Sequence, residues 1–155
     1  MASAVAGNVQ ARERKRSRGL ELQLLLQQGN RQASGGFADV YLLDFKYGSN
    51  KCAERISDAP GYWEACTRNH LYAKKYGELL IRVLILPKHL ECCARVVLKW
   101  IAQNLGTWVR TNVMFQYRPE WRAHEIPELR RRLTGSEREQ AIQLAKEAGL
   151  TNFIT

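Results

Sequence analysis

Leu79-Leu-Ile-Arg-Val-Leu-Ile-Leu-Pro-Lys-His89 is an apolar run that stops abruptly in proline and polar residues, and two other stretches share its design. They are Asp39-Val-Tyr-Leu-Leu-Asp-Phe-Lys-Tyr-Gly48 and Val109-Arg-Thr-Asn-Val-Met-Phe-Gln-Tyr-Arg-Pro119, and sequence of helical character separates each from the next. A short apolar run rich in β-branched residues reads as a strand covered on both faces, and strands alternating with helices read as βα units on a parallel sheet. In such sheets ligands collect outside the carboxyl ends of the strands. The polar residues at those ends, Asp44, Lys46, Gln116 and Arg118, are therefore the first candidates for chemistry.

Working outward, the pattern predicts strands over residues 37–45, 78–86 and 108–116. Asn50 is placed to cap a short helix through Ser57, and Pro60 opens a helix that runs to Tyr76 and stops at Gly77. An amphipathic helix from Glu91 to Leu105 ends in Gly106, with Val96, Val97, Trp100, Ile101 and Leu105 on its apolar face. Residues 117–134 lack a clean period and read as an ordered loop with a helical turn. Ser136 with Glu139 reads as a capping box for a helix through Ala148, ended by Gly149, and residues 151–154 make a short fourth strand. Inside the second strand Arg82 is a lone charge. A buried arginine without compensation costs several kcal/mol, so Arg82 is either an ion-pair member or a ligand contact.

The 155 residues suit one domain, and 45% hydrophobic content suits a soluble globular one. No apolar run approaches the ~20 residues that span a bilayer, and the N-terminus lacks the charged-then-apolar order of a secretory signal. The expected location is the cytoplasm. Net charge is +9, and residues 1–36 carry six basic side chains against Glu13 and Glu21. This leader reads as a basic, irregular, disordered or weakly helical segment distinct from residues 37–155. Its run Arg12-Glu-Arg-Lys-Arg-Ser-Arg18 is either a solvated tail or a phosphate-neutralising one, and Arg130-Arg-Arg132 poses the same choice. There is no nucleophile elbow and no glycine-rich phosphate loop.

Cys52, Cys66, Cys92 and Cys93 are separated by 13, 25 and 0 residues, which fits no zinc or iron–sulfur spacing. They read as buried thiols packing as small hydrophobes, and no metal is assigned to them. His89 reads as a hydrogen-bonding loop residue that titrates near neutrality if exposed.

At Asp44-Phe-Lys-Tyr-Gly48, Pro60-x-Tyr62, Leu86-Pro-x-His89 with Glu91-Cys-Cys93, Met114-Phe-Gln-Tyr-Arg-Pro119 and Ala145-Lys-Glu-Ala-Gly-Leu-Thr-Asn152, a family pattern emerges. The chain resembles, over about residues 37–154, the C-terminal part of radical S-adenosylmethionine proteins similar to pyruvate formate-lyase activating enzyme. The resemblance implies a partial (β/α) barrel, of which this chain would be the C-terminal half with three to four parallel strands. It also implies a four-iron four-sulfur cluster and cleavage of S-adenosylmethionine to a radical that abstracts hydrogen, for activating enzymes from a glycine of a partner. By resemblance Asp44 and Lys46 match an Asp-x-Lys that contacts S-adenosylmethionine or a nearby cation, and Arg118, Gln116 and Arg82 join them as cofactor-binding candidates. The competing readings are a structural Asp44–Lys46 ion pair and a salt bridge from Arg118 to Glu120 or Glu125.

The family's Cys-x₃-Cys-x₂-Cys loop and glycine-rich strand are absent. No catalytic residue and no metal ligand is therefore named. The expectation is a chain inactive alone: a truncated gene product, or a half completed by a partner. The expected partner is a separate N-terminal half carrying the cysteine motif, or a glycyl-radical-type protein substrate. The alternative is a basic nucleic-acid- or protein-binding module on a repurposed α/β scaffold. In either case the first strand is expected to present an unpaired hydrophobic edge.

Overall fold

In a computed structural model, which describes residues 40–155, the alternating pattern becomes four strands and four helices. The order is β1 (Val40–Asp44), α1 (Asn50–Ser57), α2 (Tyr62–Tyr76), β2 (Glu78–Leu84), a π turn (Leu90–Arg95), α3 (Val96–Asn104), β3 (Arg110–Met114), two 3₁₀ turns (Trp121–Glu125, Pro127–Leu129), α4 (Gly135–Glu147) and β4 (Phe153–Ile154). The basic leader, its Arg12–Arg18 run and the start of the first strand lie outside the described residues.

All strands are parallel and lie in the order β1-β2-β3-β4. Right-handed crossovers between sequential parallel neighbours place the connecting helices on one side of the sheet. The side chains follow that asymmetry. Leu79, Ile81, Val83, Thr111 and Val113 are buried on the helix side, with Tyr41 and Leu43 packed against the same core. On the other face Arg82, Leu84, Asn112 and Met114 are half-buried, while Val40 and Leu42 are each 53% exposed. The expectation that the first strand is covered on both faces is thus corrected: among the described residues β1 is an edge strand with helices on one side only.

The main core joins this sheet face to Val97, Leu98 and Ile101 of α3 and Ala141, Leu144 and Ala145 of α4. Phe45, one residue past β1, is completely buried and packs against His70, Trp63 and Trp100 at centroid separations of 4.8, 5.5 and 5.4 Å. A second cluster of Tyr47, Ala53, Leu86, Cys93 and Leu129 fastens α1 to the carboxyl end of the sheet.

Several boundaries differ from expectation for tertiary reasons. Ser49, not Asn50, caps α1, its hydroxyl accepting from the Cys52 amide at 3.3 Å. Asn50 instead reaches forward: Oδ1 accepts from the Trp63 amide at 2.7 Å and Nδ2 donates to Glu64 at 2.8 Å, so it serves the start of α2. That helix begins at Tyr62 because Gly61 takes a left-handed conformation (φ 65°) ahead of it. The predicted helix from Glu91 opens as a π turn, whose extra width shifts the phase of α3 behind it. Val96 consequently faces outward and Leu98 inward, the reverse of a continuous α-helix reading.

The capping box of α4 is Thr134 with Glu137, two residues before the predicted pair. The Thr134 hydroxyl accepts from the Glu137 amide at 3.2 Å and the Glu137 carboxylate accepts from the Thr134 amide at 2.9 Å. The same carboxylate accepts from the Lys88 amide at 2.9 Å and from both terminal nitrogens of Arg131 at 2.7 and 2.8 Å. Arg131 first, then these amides, hold it well below the usual carboxylate range against the opposing effect of burial. A depressed folded-state value means stabilisation present above the unfolded value of about 4.3 and lost as the pH falls through the folded one. Glu137→Gln is expected to cost about 1–3 kcal/mol at pH 7. Urea melts should show the gap to the unsubstituted chain narrowing as the pH falls below about 4.

No helix among the described residues is long and apolar enough to cross a membrane.

Candidate functional site

Pairing register aligns Asp44 of β1, Arg82 of β2 and Asn112 of β3 in one row across the face away from the helices. Within it the Arg82 Nε donates to Asp44 Oδ1 at 2.6 Å, so the lone charge of the second strand has its partner. Both side chains remain more than a third exposed, so Arg82 is not the buried charge the sequence suggested. Lys46 Nζ lies 3.9 Å from Asp44 Oδ2, beyond a good hydrogen bond, which leaves that oxygen with accepting capacity. The Lys46 amide donates to the Tyr62 hydroxyl at 2.8 Å and fixes the chain as it leaves the sheet.

Just beyond this row lies a cleft of about 470 Å³ at the carboxyl ends of the strands. All five sequence candidates, Asp44, Lys46, Arg82, Gln116 and Arg118, line it. Arg118 has no hydrogen-bond or ion-pair partner among the described residues; the expected bridge to Glu125 is taken by Arg122 at 2.8 Å. Gln116 makes only a weak 3.5 Å contact to the Met114 sulfur. The segment after β3 forms a wall: Tyr117 donates to the Leu129 carbonyl at 2.8 Å, and Trp121, 63% exposed with φ 51°, presents its ring at the rim. A larger cavity, about 570 Å³, sits at the opposite end beside Glu78 and Trp108 and contains none of the candidates. In parallel α/β folds that end serves stability rather than chemistry, so the smaller cleft is the candidate site.

A second constellation lies behind the cleft and was missed by spacing between cysteines alone. Cys52 on α1, His89 after β2, and Cys92 and Cys93 in the π turn bring their ligand atoms within 4.8 Å of one another. The His89 Nδ1 is 3.1 Å from the Cys92 sulfur, which is 3.9 Å from the Cys93 sulfur. His89 is the hydrogen-bonding loop residue expected, but it is only 5% exposed, and burial followed by the nearby Arg55 cation lowers the pKa of its imidazole. Burial raises the Cys92 and Cys93 thiols as well. The informative signal was the run His89-x-x-Cys92-Cys93, read together with Cys52. Cys66 stands apart, hydrogen-bonded to the Asp44 carbonyl at 3.6 Å, with its thiol pushed up to about 12 by burial. It is half-buried and packs against the main core, as expected of a thiol serving as a small hydrophobe.

The basic patch at 130–132 is partly committed internally. Arg131 is paired with Glu137, and Arg130 donates to the His124 carbonyl at 2.8 Å.

Among curated proteins the chain is 48% identical, over 115 residues, to an uncharacterized protein of Methanocaldococcus jannaschii. The match covers 74% of this chain and 33% of that protein. The chain thus spans about a third of the length of this relative. No family model matches the chain, and no solved structure does.

Proposed function

We propose that this chain forms the C-terminal part of a (β/α) barrel of the radical S-adenosylmethionine type and that its cleft holds S-adenosylmethionine. The observation that carries the reading is the convergence of Asp44, Lys46, Arg82, Gln116 and Arg118 on one cleft at the carboxyl ends of parallel strands. The sheet face left uncovered among the described residues supports it, because in a complete barrel that face is the packed interior. Half of a barrel leaves it open, with apolar Val40 and Leu42 exposed.

The donor set suits this cofactor. Asp44 Oδ2 is available to a ribose hydroxyl or an ammonium group, and Lys46 and Arg118, which has no partner among the described residues, to a carboxylate. Arg82 holds the Asp44 carboxylate in place from the neighbouring strand. The Tyr117 hydrogen bond to Leu129 keeps the wall against the cleft and limits the water that reaches it. When bound beside a reduced iron–sulfur cluster, S-adenosylmethionine supplies hydrogen-atom abstraction.

The cluster itself does not fit the residues present. A four-iron cluster binds its ligands on separate irons, farther apart than four atoms lying within 4.8 Å, and no three-cysteine loop of the family's spacing occurs in the sequence. The cleft residues would hold and orient the cofactor, with the cluster held by residues other than those present here. Hydrogen abstraction from a glycyl-radical-type protein remains the proposed use of the assembled site.

Isothermal titration of the chain with S-adenosylmethionine tests the reading. Arg118→Ala and Asp44→Asn are each expected to weaken binding about 10- to 100-fold, the worth of one charged hydrogen bond. Arg138→Ala on the far helix should change nothing. Equal affinity for all four proteins, or none for any, would remove the cleft from consideration as the cofactor site.

A further inference from the structure

Of the clusters and cavities in the described residues, the Cys52–His89–Cys92–Cys93 group lies outside the proposed cofactor site and gathers ligand atoms in the numbers and chemistry a metal requires. We propose that these four side chains bind one zinc ion, which pins the loop after β2 to α1 behind the cleft. Zinc at this position is independent of S-adenosylmethionine in the cleft and survives the failure of that reading.

Geometry carries the argument. Zinc–sulfur distances of about 2.3 Å and zinc–nitrogen distances of about 2.0–2.1 Å around a tetrahedron place ligand atoms about 3.5–3.8 Å apart. Here the Cys92 and Cys93 sulfurs are 3.9 Å apart, His89 Nδ1 and the Cys92 sulfur are 3.1 Å apart, and no pair of the four exceeds 4.8 Å. Small rotamer adjustments close the remainder. Three thiolates and one imidazole are a closed structural set for zinc, with no position left for a substrate.

The surroundings match a metal-bound histidine. Nδ1 faces the thiols, while Nε2 lies 3.6 Å from the Glu128 carboxylate, which in turn accepts from Arg55 at 2.6 Å. A metal on Nδ1 puts the imidazole proton on Nε2, directed at Glu128, the arrangement by which carboxylates orient ligating histidines. Arg55, 3.2 Å from Nε2, is then satisfied by Glu128 rather than by the ring. The backbone contributes too. The π turn Leu90–Arg95 contains both adjacent cysteines, and such turns concentrate at functional sites.

An ion there would bridge elements 37 residues apart in sequence, Cys52 to His89, and stiffen the cluster of Tyr47, Ala53, Leu86, Cys93 and Leu129 under the cleft. Each bound thiol releases its proton to solvent on coordination, and no electron changes hands.

The test uses the reduced, chelator-treated chain, titrated with cobalt(II) and then zinc(II), with circular dichroism recorded throughout. The expected result is one cobalt per chain with the intense visible absorption of a tetrahedral thiolate site, bleached by one equivalent of zinc. This holds equally if the metal-free chain is loosened and cobalt restores its dichroism. Cys92→Ser, at an exposed position, should abolish stoichiometric uptake; Glu128→Gln should weaken it about 10- to 100-fold; Cys66→Ala should leave it intact. A weak octahedral cobalt spectrum, uptake unchanged in a folded Cys52→Ser/Cys92→Ser chain, or four irons per chain after reconstitution would overturn the assignment.

Discussion

Phe45→Ala is expected to lower the stability of the fold by about 3–5 kcal/mol, read from urea denaturation at pH 7. The ring is completely buried and touches residues from three elements: Trp63 and His70 of α2, Trp100 of α3, and the sheet beneath. Helices contributing to one core cannot close over the space a benzyl group leaves, so the cavity cost adds to the lost burial. The consequence reaches the cleft, because Phe45 stands between Asp44 and Lys46 and its amide donates to the Arg82 carbonyl at 2.8 Å. Cofactor affinity should therefore fall in parallel with stability. Phe45→Leu, which keeps most of the volume, should cost about 1.5 kcal/mol or less. A loss below about 1 kcal/mol for the alanine variant would contradict the packing described.

The second large effect is expected at Gly48. A Cβ there would stand 2.3 Å from the Cys92 carbonyl oxygen, 2.9 Å from Val96 Cβ and 3.0 Å from Cys93 Cα. Two of the three obstacles are backbone atoms of the π turn, which cannot swing aside as a side-chain tip can. The effect is steric and needs no unusual backbone angle. Gly48→Ala should cost about 1–3 kcal/mol and Gly48→Val more, with Tm falling by roughly 4 °C for each kcal/mol. Because the displaced atoms belong to Cys92 and Cys93, cobalt uptake should weaken in the same variants. An unchanged Tm together with an unchanged cobalt spectrum would show that the loop after β1 does not rest on the π turn.

Much of the fold was legible because strands and helices impose different periods. The three apolar runs gave β1, β2 and β3, and the end-of-strand rule pointed to Asp44, Lys46, Gln116 and Arg118, which the sheet order then brings to one cleft. What stayed hidden depends on contacts distant in sequence. Covering of β1 on one face is a property of sheet order, which no single run encodes. The cap at Thr134 rather than Ser136 was decided by Glu137, whose carboxylate is also claimed by Lys88 and Arg131. Cys52 meets Cys92 and Cys93 only after β2 has carried His89 and the π turn beside α1, so spacing between cysteines held no trace of the cluster. The phase error in α3 has the same origin, since a π turn changes which residues face inward without changing composition.

The central claim is that the carboxyl-end cleft is where S-adenosylmethionine sits. The measurement that meets it most directly is the amide ¹H–¹⁵N spectrum of the chain, recorded through a titration with that compound. The account predicts saturable shifts concentrated at residues 44–47, 82–86 and 114–121, around the aligned row and the wall carrying Trp121. Shifts confined to the opposite end, around Trp108 and Glu78, or a spectrum unmoved at saturating concentration, would contradict it.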